Sequence, residues 1–200
     1  KRRHSELSPL KRLANGSLEV EGAIAVENRP TYLRVDPSGK RLLTASYGAG
    51  QVSVYAILNG LCTRRLDQKA TERTAHCVEL DPSGRFAFVP HTTPNVIYQF
   101  RFDGEAGTLA PNAPPTVAGP DAGHGYHEPR HVRFHPTLPM AYTSNERGGG
   151  ISGWRLDPET GTLTREQTVG SLPPGFKGES AAAEIRITPN GRFAYVSNRD

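Results

Sequence analysis

The chain has 200 residues, of which 36% are hydrophobic and 22% are charged, a composition typical of a globular protein rather than a disordered one. No apolar run approaches the roughly 20 residues that a membrane helix needs, so we predict no membrane partner. The formal net charge of +4 comes mostly from scattered basic residues, which favours a small anionic ligand over nucleic acid as the partner.

One short sequence repeat occurs four times along the chain. The copies read YLRVDPSGKRLLTASY, CVELDPSGRFAFVPHT, HVRFHPTLPMAYTSNE and EIRITPNGRFAYVSNR. Each copy contains two predicted strands in which apolar and polar residues alternate. A turn joins them, in which Pro presets φ and a Gly commonly follows. The turn residues, which lie 45, 54 and 53 positions apart, are Asp36, Asp81, His135 and Thr188. This is the period of a four-stranded propeller blade.

Further strands follow these hairpins. QVSVYAI, NVIYQFRF and GISGWRL each read as a third strand, and the turns DGEAGTLAP and DPETGTLTR lead to a fourth. No long amphipathic helical pattern interrupts the series. We therefore predict an all-β fold, a β-propeller, as a single partial domain over residues 1–200. The predicted divisions are the end of a preceding blade at 1–29, blades at 30–75, 76–129 and 130–182, and the start of the next blade at 183–200.

The repeats also predict which apolar side chains are buried. Trp154 is expected to pack between blades. The other predicted core residues are Leu33, Val35, Phe86, Phe88, Phe134 and Tyr195.

Aligning the repeats by their turns predicts a site. The start of the innermost strand and the end of the next strand share one rim of the blade, because the two strands are antiparallel. Eleven residues after the turn residues come Tyr47, Thr92, Glu146 and Arg199, and five residues before them come Thr31, His76, Arg130 and Ala183. Packing alone would favour similar side chains at equivalent positions. The variation instead indicates a polar site at the mouth of the central channel, formed by His76, Arg130, Glu146 and Arg199.

Simpler interpretations exist for these residues. Glu146 could be a surface carboxylate paired with Arg147, and His76 or His131 could serve packing alone. His124, His127, His131 and His135 fall within twelve residues. Their spacing belongs to a loop and a strand, without cysteine or paired carboxylate, so we predict no metal. The GAG and GGG runs lie at strand ends rather than before helices, and we predict no cofactor. Cys62 and Cys77 lack CxxC spacing and are expected to be free thiols of a reducing, cytoplasmic compartment.

Three runs carry a family resemblance. PTYLRVDPSGKRLLTASYGAGQVSVY, EPRHVRFHPTLPMAYTSNE and LPPGFKGESAAAEIRITPNGRFAYVSNR resemble the lactonase family of seven-bladed propellers, from about Asn15 onward. The resemblance implies that this chain holds about four of seven blades. It also implies a hydrolase that opens a sugar lactone, with 6-phosphogluconolactone as the expected substrate. Two alternatives stay open: a carboxy-cis,cis-muconate cyclase, and a non-catalytic propeller that binds an anionic ligand.

The resemblance implies catalytic roles for His76, Arg130, Glu146 and Arg199. Substrate contacts are expected from His131 and Tyr47 as well as from the two arginines. Glu146 or His76 would act as the base, a choice the sequence leaves open. The chain departs from the family pattern at Glu128, where members often have Gly, and in having a single histidine around His76. If residues 1–200 were the whole protein, unpaired blade faces would make it self-associate.

Overall fold

The computed structural model describes residues 5–120 and 128–199, and every regular element in these ranges is a β-strand. Four short strands come first: β1 (Ser5–Leu7), β2 (Leu10–Arg12), β3 (Leu18–Val20) and β4 (Ile24–Val26). β1 pairs with β4 and β2 pairs with β3, both antiparallel. Within the described ranges there is no helix long and apolar enough to cross a membrane.

Three four-stranded antiparallel sheets and one hairpin follow. The first sheet contains β5 (Tyr32–Val35), β6 (Arg41–Ser46), β7 (Gln51–Leu58) and β8 (Leu61–Ala70). The second contains β9 (Glu79–Leu80), β10 (Phe86–His91), β11 (Val96–Asp103) and β12 (Thr108–Ala118). The third contains β13 (Pro129–Phe134), β14 (Met140–Asn145), β15 (Gly150–Asp157) and β16 (Thr162–Gly170). The hairpin is β17 (Ala181–Ile187) with β18 (Ala194–Arg199). The predicted all-β fold of four-stranded propeller blades is confirmed.

The innermost hairpin of each repeat closes with the same backbone hydrogen bond. In all four, the N–H of the turn residue donates to the carbonyl five residues later, at 2.9 Å for Asp36, 3.0 Å for Asp81, 2.8 Å for His135 and 2.9 Å for Thr188. The side chain of each turn residue accepts a backbone N–H as well, as in the 2.8 Å bond from Arg41 to Asp36 Oδ1. These bonds fix one common register in the four repeats, which is the register used to align the sequence.

Apolar clusters join neighbouring sheets. One lies between the first and second sheets around Val54 and Val89, and another lies between the second and third around Phe88 and Trp154. Trp154 is fully buried, and its indole N–H donates to Thr143 Oγ1 at 3.0 Å. The packing reaches the backbone at Gly161, which has φ of +67° and where a Cβ would lie 2.1 Å from the Phe86 ring. Glycine is required there for both reasons.

The core prediction is correct for the side chains that lie between the second and third sheets. Phe86 and Phe88 are buried as predicted. Leu33, Val35 and Tyr195 are 51%, 47% and 63% exposed, so their assignment to the core is wrong in this structure. These three side chains belong to the first sheet and the last hairpin, at the two ends of the array. Alternation in the sequence predicts which side chains share a face of the strand, but not whether another element covers that face.

Replacing Trp154 by alanine should lower the free energy of unfolding by about 3 to 5 kcal/mol, because it opens a cavity between two sheets and leaves the Thr143 hydroxyl without its donor. Denaturant unfolding followed by circular dichroism measures the change. The matched control is Leu138→Ala at an exposed turn position, which should shift stability by less than about 0.5 kcal/mol. Equal losses in the two variants would contradict the packing role of Trp154.

His91 should make stability depend on pH. Its ring is fully buried, with Nδ1–H donating to the Val89 carbonyl at 2.9 Å, and burial lowers its pKa to about 4. The unfolded chain, with an ordinary histidine pKa near 6.5, takes up the proton first as pH falls. Stability due to neutral His91 is therefore complete above about pH 6.5 and is lost progressively towards pH 4.

We expect His91→Gln to flatten the slope of unfolding free energy against pH in this window by up to about 1.4 kcal/mol per pH unit. The control is Asn112→Ala, which removes a buried amide that donates to Thr160 and Gly161 carbonyls. It should lower stability without changing the slope. An unchanged slope in His91→Gln would show that His91 does not titrate with unfolding.

Candidate active site

Two arginines from different blades hold the Glu146 carboxylate. Glu146 directly follows β14, and its Oε1 lies 2.6 Å from Arg199 Nη2 and 3.6 Å from Arg130 Nε. Arg199 ends β18, and its Nε also donates to the Ala181 carbonyl at 3.1 Å. The backbone supports the same arrangement, since Ala182 N–H donates to the Glu146 carbonyl at 2.8 Å. Glu146 is thus fixed between the third sheet and the next hairpin.

The other predicted site residues continue this chain of contacts. Arg130 Nη1 lies 3.2 Å from His131 Nε2. The His131 ring lies 5.2 Å from the His76 ring, which in turn meets the edge of the Tyr47 ring at 5.6 Å, measured between centroids. The structure therefore brings all six predicted residues to one rim. Their roles in binding or catalysis stay predictions.

Both histidines of this site are neutral at neutral pH. Burial, followed by the charge of Arg130, lowers the pKa of His76 to about 4. Burial, Arg130 and His76 together lower the pKa of His131 to about 3. His76 Nδ1 is buried without a hydrogen-bond partner among the described residues. A neutral imidazole with a vacant ring nitrogen can orient a water or a substrate hydroxyl.

A polar cavity of about 590 Å³ opens beside Glu146. Thr92 Oγ1 donates to Tyr47 Oη at 3.5 Å on one wall. The lining is made mainly of hydroxyls and carboxylates, from Tyr47, Thr92, Thr93, Glu128, Glu146, Glu179 and Ser180, together with Arg147. Such a wall offers donors and acceptors to a hydroxyl-bearing ligand. A larger cavity of about 850 Å³ lies elsewhere, near Asp36 and Asn112, and includes none of the six predicted residues.

Glu128 on the wall of this cavity has a positive φ, and so do Thr74 and Asn95, which accept backbone N–H bonds from Thr93 and Glu128 of the wall. Thr74, Asn95 and Glu128 have φ of 74°, 66° and 48°, in the left-handed region that favours glycine. Glu128 N–H donates to Asn95 Oδ1 at 3.1 Å, which links two of them. Residues held this way tend to cluster at functional sites. Burial raises the pKa of the Glu128 carboxyl, which lies 3.6 Å from Arg147 Nε.

A second layer of charged residues, which the sequence analysis missed, lies below the rim. Arg133 Nη2 contacts Glu184 Oε1 at 2.8 Å, and its Nη1 contacts Glu79 Oε2 at 3.2 Å. Arg34 Nε lies 2.7 Å from Glu79 Oε1. The signal was available: Arg34, Glu79, Arg133 and Arg186 each lie two residues before a turn residue. The alignment of the repeats that predicts the rim therefore also predicts this second layer of charged residues.

Within residues 5–120 and 128–199, there is no group of three or more His, Cys, Asp or Glu residues that could hold a metal ion. His124 and His127, considered as metal ligands from the sequence, lie outside the described residues. Cys62 and Cys77 are free, and burial raises the pKa of the Cys77 thiol to about 12.

Comparison with known proteins gives matches along most of the chain. A 6-phosphogluconolactonase of Pectobacterium carotovorum subsp. carotovorum is 35% identical over 187 residues, which cover 92% of this chain and 54% of that protein. A 6-phosphogluconolactonase of Cronobacter sakazakii is 32% identical over 185 residues, with the same coverage. The chain spans about half the length of these relatives.

Solved structures show the same fold. The periplasmic gluconolactonase PpgL of Pseudomonas aeruginosa superposes with a TM-score of 0.84 at 22% identity, covering 98% of this chain and 57% of that one. A protein from Lactobacillus plantarum superposes with a TM-score of 0.85 at 22% identity, covering 100% and 59%. The family model described as "Lactonase, 7-bladed beta-propeller" matches residues 10–200. With the blades and the family model in agreement, the chain belongs to the lactonase family of seven-bladed β-propellers.

Proposed function

We propose that the protein carrying this chain hydrolyses a sugar lactone at the rim site, with 6-phosphogluconolactone as the substrate. The observation that carries the proposal is the Glu146 carboxylate held at 2.6 Å by Arg199 and at 3.6 Å by Arg130, with neutral His76 close by and a polar cavity alongside. Relatives that match 92% of the chain are 6-phosphogluconolactonases, which supports the choice of substrate.

Glu146 acts as the general base in this proposal. Both arginine contacts fall on Oε1, so Oε2 is the oxygen left to face a water molecule. Oε2 accepts a proton from that water as its oxygen forms a bond to the lactone carbonyl carbon. When the tetrahedral intermediate collapses, the bond to the ring oxygen breaks and Glu146 returns the proton to that oxygen. One carboxylate then serves both halves of the reaction, and the new carboxylic acid releases the second proton of the water to solvent when it ionises.

The two arginines supply positive charge to the reacting carbonyl and to the substrate anion. Guanidinium groups are permanently charged and present planar donors, which suits an oxyanion or a phosphate. The Arg130 side chain is only 14% exposed. We assign Arg130, the buried one, to the developing oxyanion, because fixed charge in a dry position stabilises a transition state best. Arg199 at the mouth is assigned to the phosphate.

His76 orients the water rather than donating a proton. With its pKa lowered to about 4, mainly by burial, its ring carries little positive charge at neutral pH and is a poor proton donor. Its vacant Nδ1 can accept a hydrogen bond if the proton is on Nε2. The proposal therefore places proton transfer on Glu146 and water alignment on His76.

The cavity lining suits a ligand that carries several hydroxyl groups. Three glutamates, Glu128, Glu146 and Glu179, line it together with hydroxyl side chains. Carboxylates accept hydrogen bonds from sugar hydroxyls, and Arg147 adds a positive charge to the same wall.

Hydrolysis of freshly prepared 6-phosphogluconolactone, corrected for spontaneous opening, tests the proposal on the intact protein. Glu146→Gln should reduce kcat roughly 10²- to 10⁴-fold because the base is lost. Arg199→Ala should raise KM and reduce kcat/KM by more for the phosphorylated lactone than for gluconolactone. The control is Glu166→Gln, which breaks a surface pair with Arg155 of 2.7 Å and should leave both constants unchanged.

Each alternative function has its own outcome in this assay. Conversion of a carboxymuconate, with no lactone hydrolysis, would replace the proposal by the cyclase reaction. Tight binding of the lactone without turnover, unchanged in Glu146→Gln, would identify a non-catalytic binder. Full activity in Glu146→Gln would show that the base lies elsewhere.

A further inference from the structure

We propose that Glu184 and His131 form a positioning relay that holds the Arg130 guanidinium in place beside Glu146. The relay consists of Glu184, His131 and Arg130, in that order of contact. Its kinetic consequence rests on the proposed function, in which Arg130 acts on the substrate, while its contacts are a property of the protein alone. It gives His131 a role different from the direct substrate contact that the sequence predicts.

The contact between Arg130 and His131 determines the state of the imidazole. Arg130 Nη1 lies 3.2 Å from His131 Nε2. A guanidinium has only donors, so Nε2 must be the acceptor and cannot carry a proton. The ring is therefore neutral, with its proton on Nδ1. This tautomer follows from the geometry and the chemistry of arginine.

The opposite side of the ring meets a carboxylate. His131 Nδ1 lies 3.0 Å from Glu184 Oε2, outside the angular range of a good hydrogen bond. A carboxylate can only accept, so a proton on Nδ1 faces the group that attracts it. Glu184 belongs to β17 in the next blade, so the relay crosses between blades.

Glu184 is itself held by the channel wall. Its Oε1 lies 2.8 Å from Arg133 Nη2 and 3.4 Å from Arg186 Nη1. Arg133 also contacts Glu79, whose side chain is 6% exposed, at 3.2 Å. These ion pairs leave the carboxylate little freedom to turn away from His131. The relay is thus anchored one layer below the rim.

The relay orients the arginine through one of its edges. His131 Nε2 accepts a hydrogen bond from Arg130 Nη1. The Nε atom of Arg130 then lies 3.6 Å from Glu146 Oε1. Arg130 Nε has no hydrogen-bond partner among the described residues. A long side chain without such support would sample several rotamers, which costs activity when a charge must meet an oxyanion at a fixed point. His131 and Glu184 would remove that freedom without touching the substrate.

The first test is the tautomer of His131, read from long-range ¹H–¹⁵N NMR of the intact protein labelled with ¹⁵N-histidine. The signals are assigned by their loss in His131→Gln. We expect the Nδ1–H tautomer without titration between pH 5 and 8, although His76, Arg130, Arg133, Arg186 and Glu184 surround the ring. Glu184→Ala should change the His131 nitrogen shifts, whereas Glu166→Ala should not. An Nε2–H tautomer, or titration near pH 6.5, would overturn the relay.

The second test is a double-mutant cycle on lactone hydrolysis. Glu184→Ala should lower kcat roughly 10- to 100-fold with little change in KM, as positioning partners of active groups do in metal sites. In an Arg130→Ala background the same change should have less than about a twofold effect, because the arginine to be positioned is gone. His131→Gln, whose amide oxygen can accept from Arg130, should retain more activity than His131→Ala.

The two tests separate the relay from the proposed function. A protein that shows the Nδ1–H tautomer but hydrolyses no lactone refutes the proposed function and keeps the relay. Losses that multiply fully in the double variant refute the relay even if the lactonase is active, because they assign independent effects to Glu184 and Arg130.

Discussion

A side-chain acceptor at the turn residue fixes each innermost hairpin, and the position of every rim residue depends on that register. Asp36 and Asp81 use a carboxylate, Thr188 a hydroxyl and His135 a ring nitrogen. Three chemically different groups perform one task, which is to accept a backbone N–H while the backbone closes the same hydrogen-bonded loop. A slip of one residue would turn the rim side chains to the opposite face of the strand. The site therefore depends on turns at the far end of the blade.

The rim combines charges from separate blades into one electrostatic unit. Glu146 receives Arg130 from its own sheet and Arg199 from the next hairpin. The arginine charge, added to burial, keeps His76 and His131 neutral. Neutral imidazoles can accept hydrogen bonds, which is what both a bound water and the Arg130 guanidinium need. Burial and positive charge thus assign the protonation states before any substrate arrives.

Glu128 places a second carboxylate beside Glu146 on the cavity wall. Its φ of 48° lies in the left-handed region that favours glycine. The Glu128 carboxyl lies on the cavity wall, and burial raises the pKa of this carboxyl. Because Glu128 also lies next to Glu146 along the cavity, it changes the charge that a substrate meets.

The sequence by itself determined the all-β blades, their period and the rim that carries His76, Arg130, Glu146 and Arg199. These follow from alternation and turn chemistry, which act over a few residues and repeat. Only the tertiary structure decided that both arginines share one oxygen of Glu146, that His76 is neutral, and that Glu184 reaches His131 from the next blade. Such facts depend on side-chain rotamers and on packing between blades about 50 residues apart in the chain, and a local pattern contains no information about either.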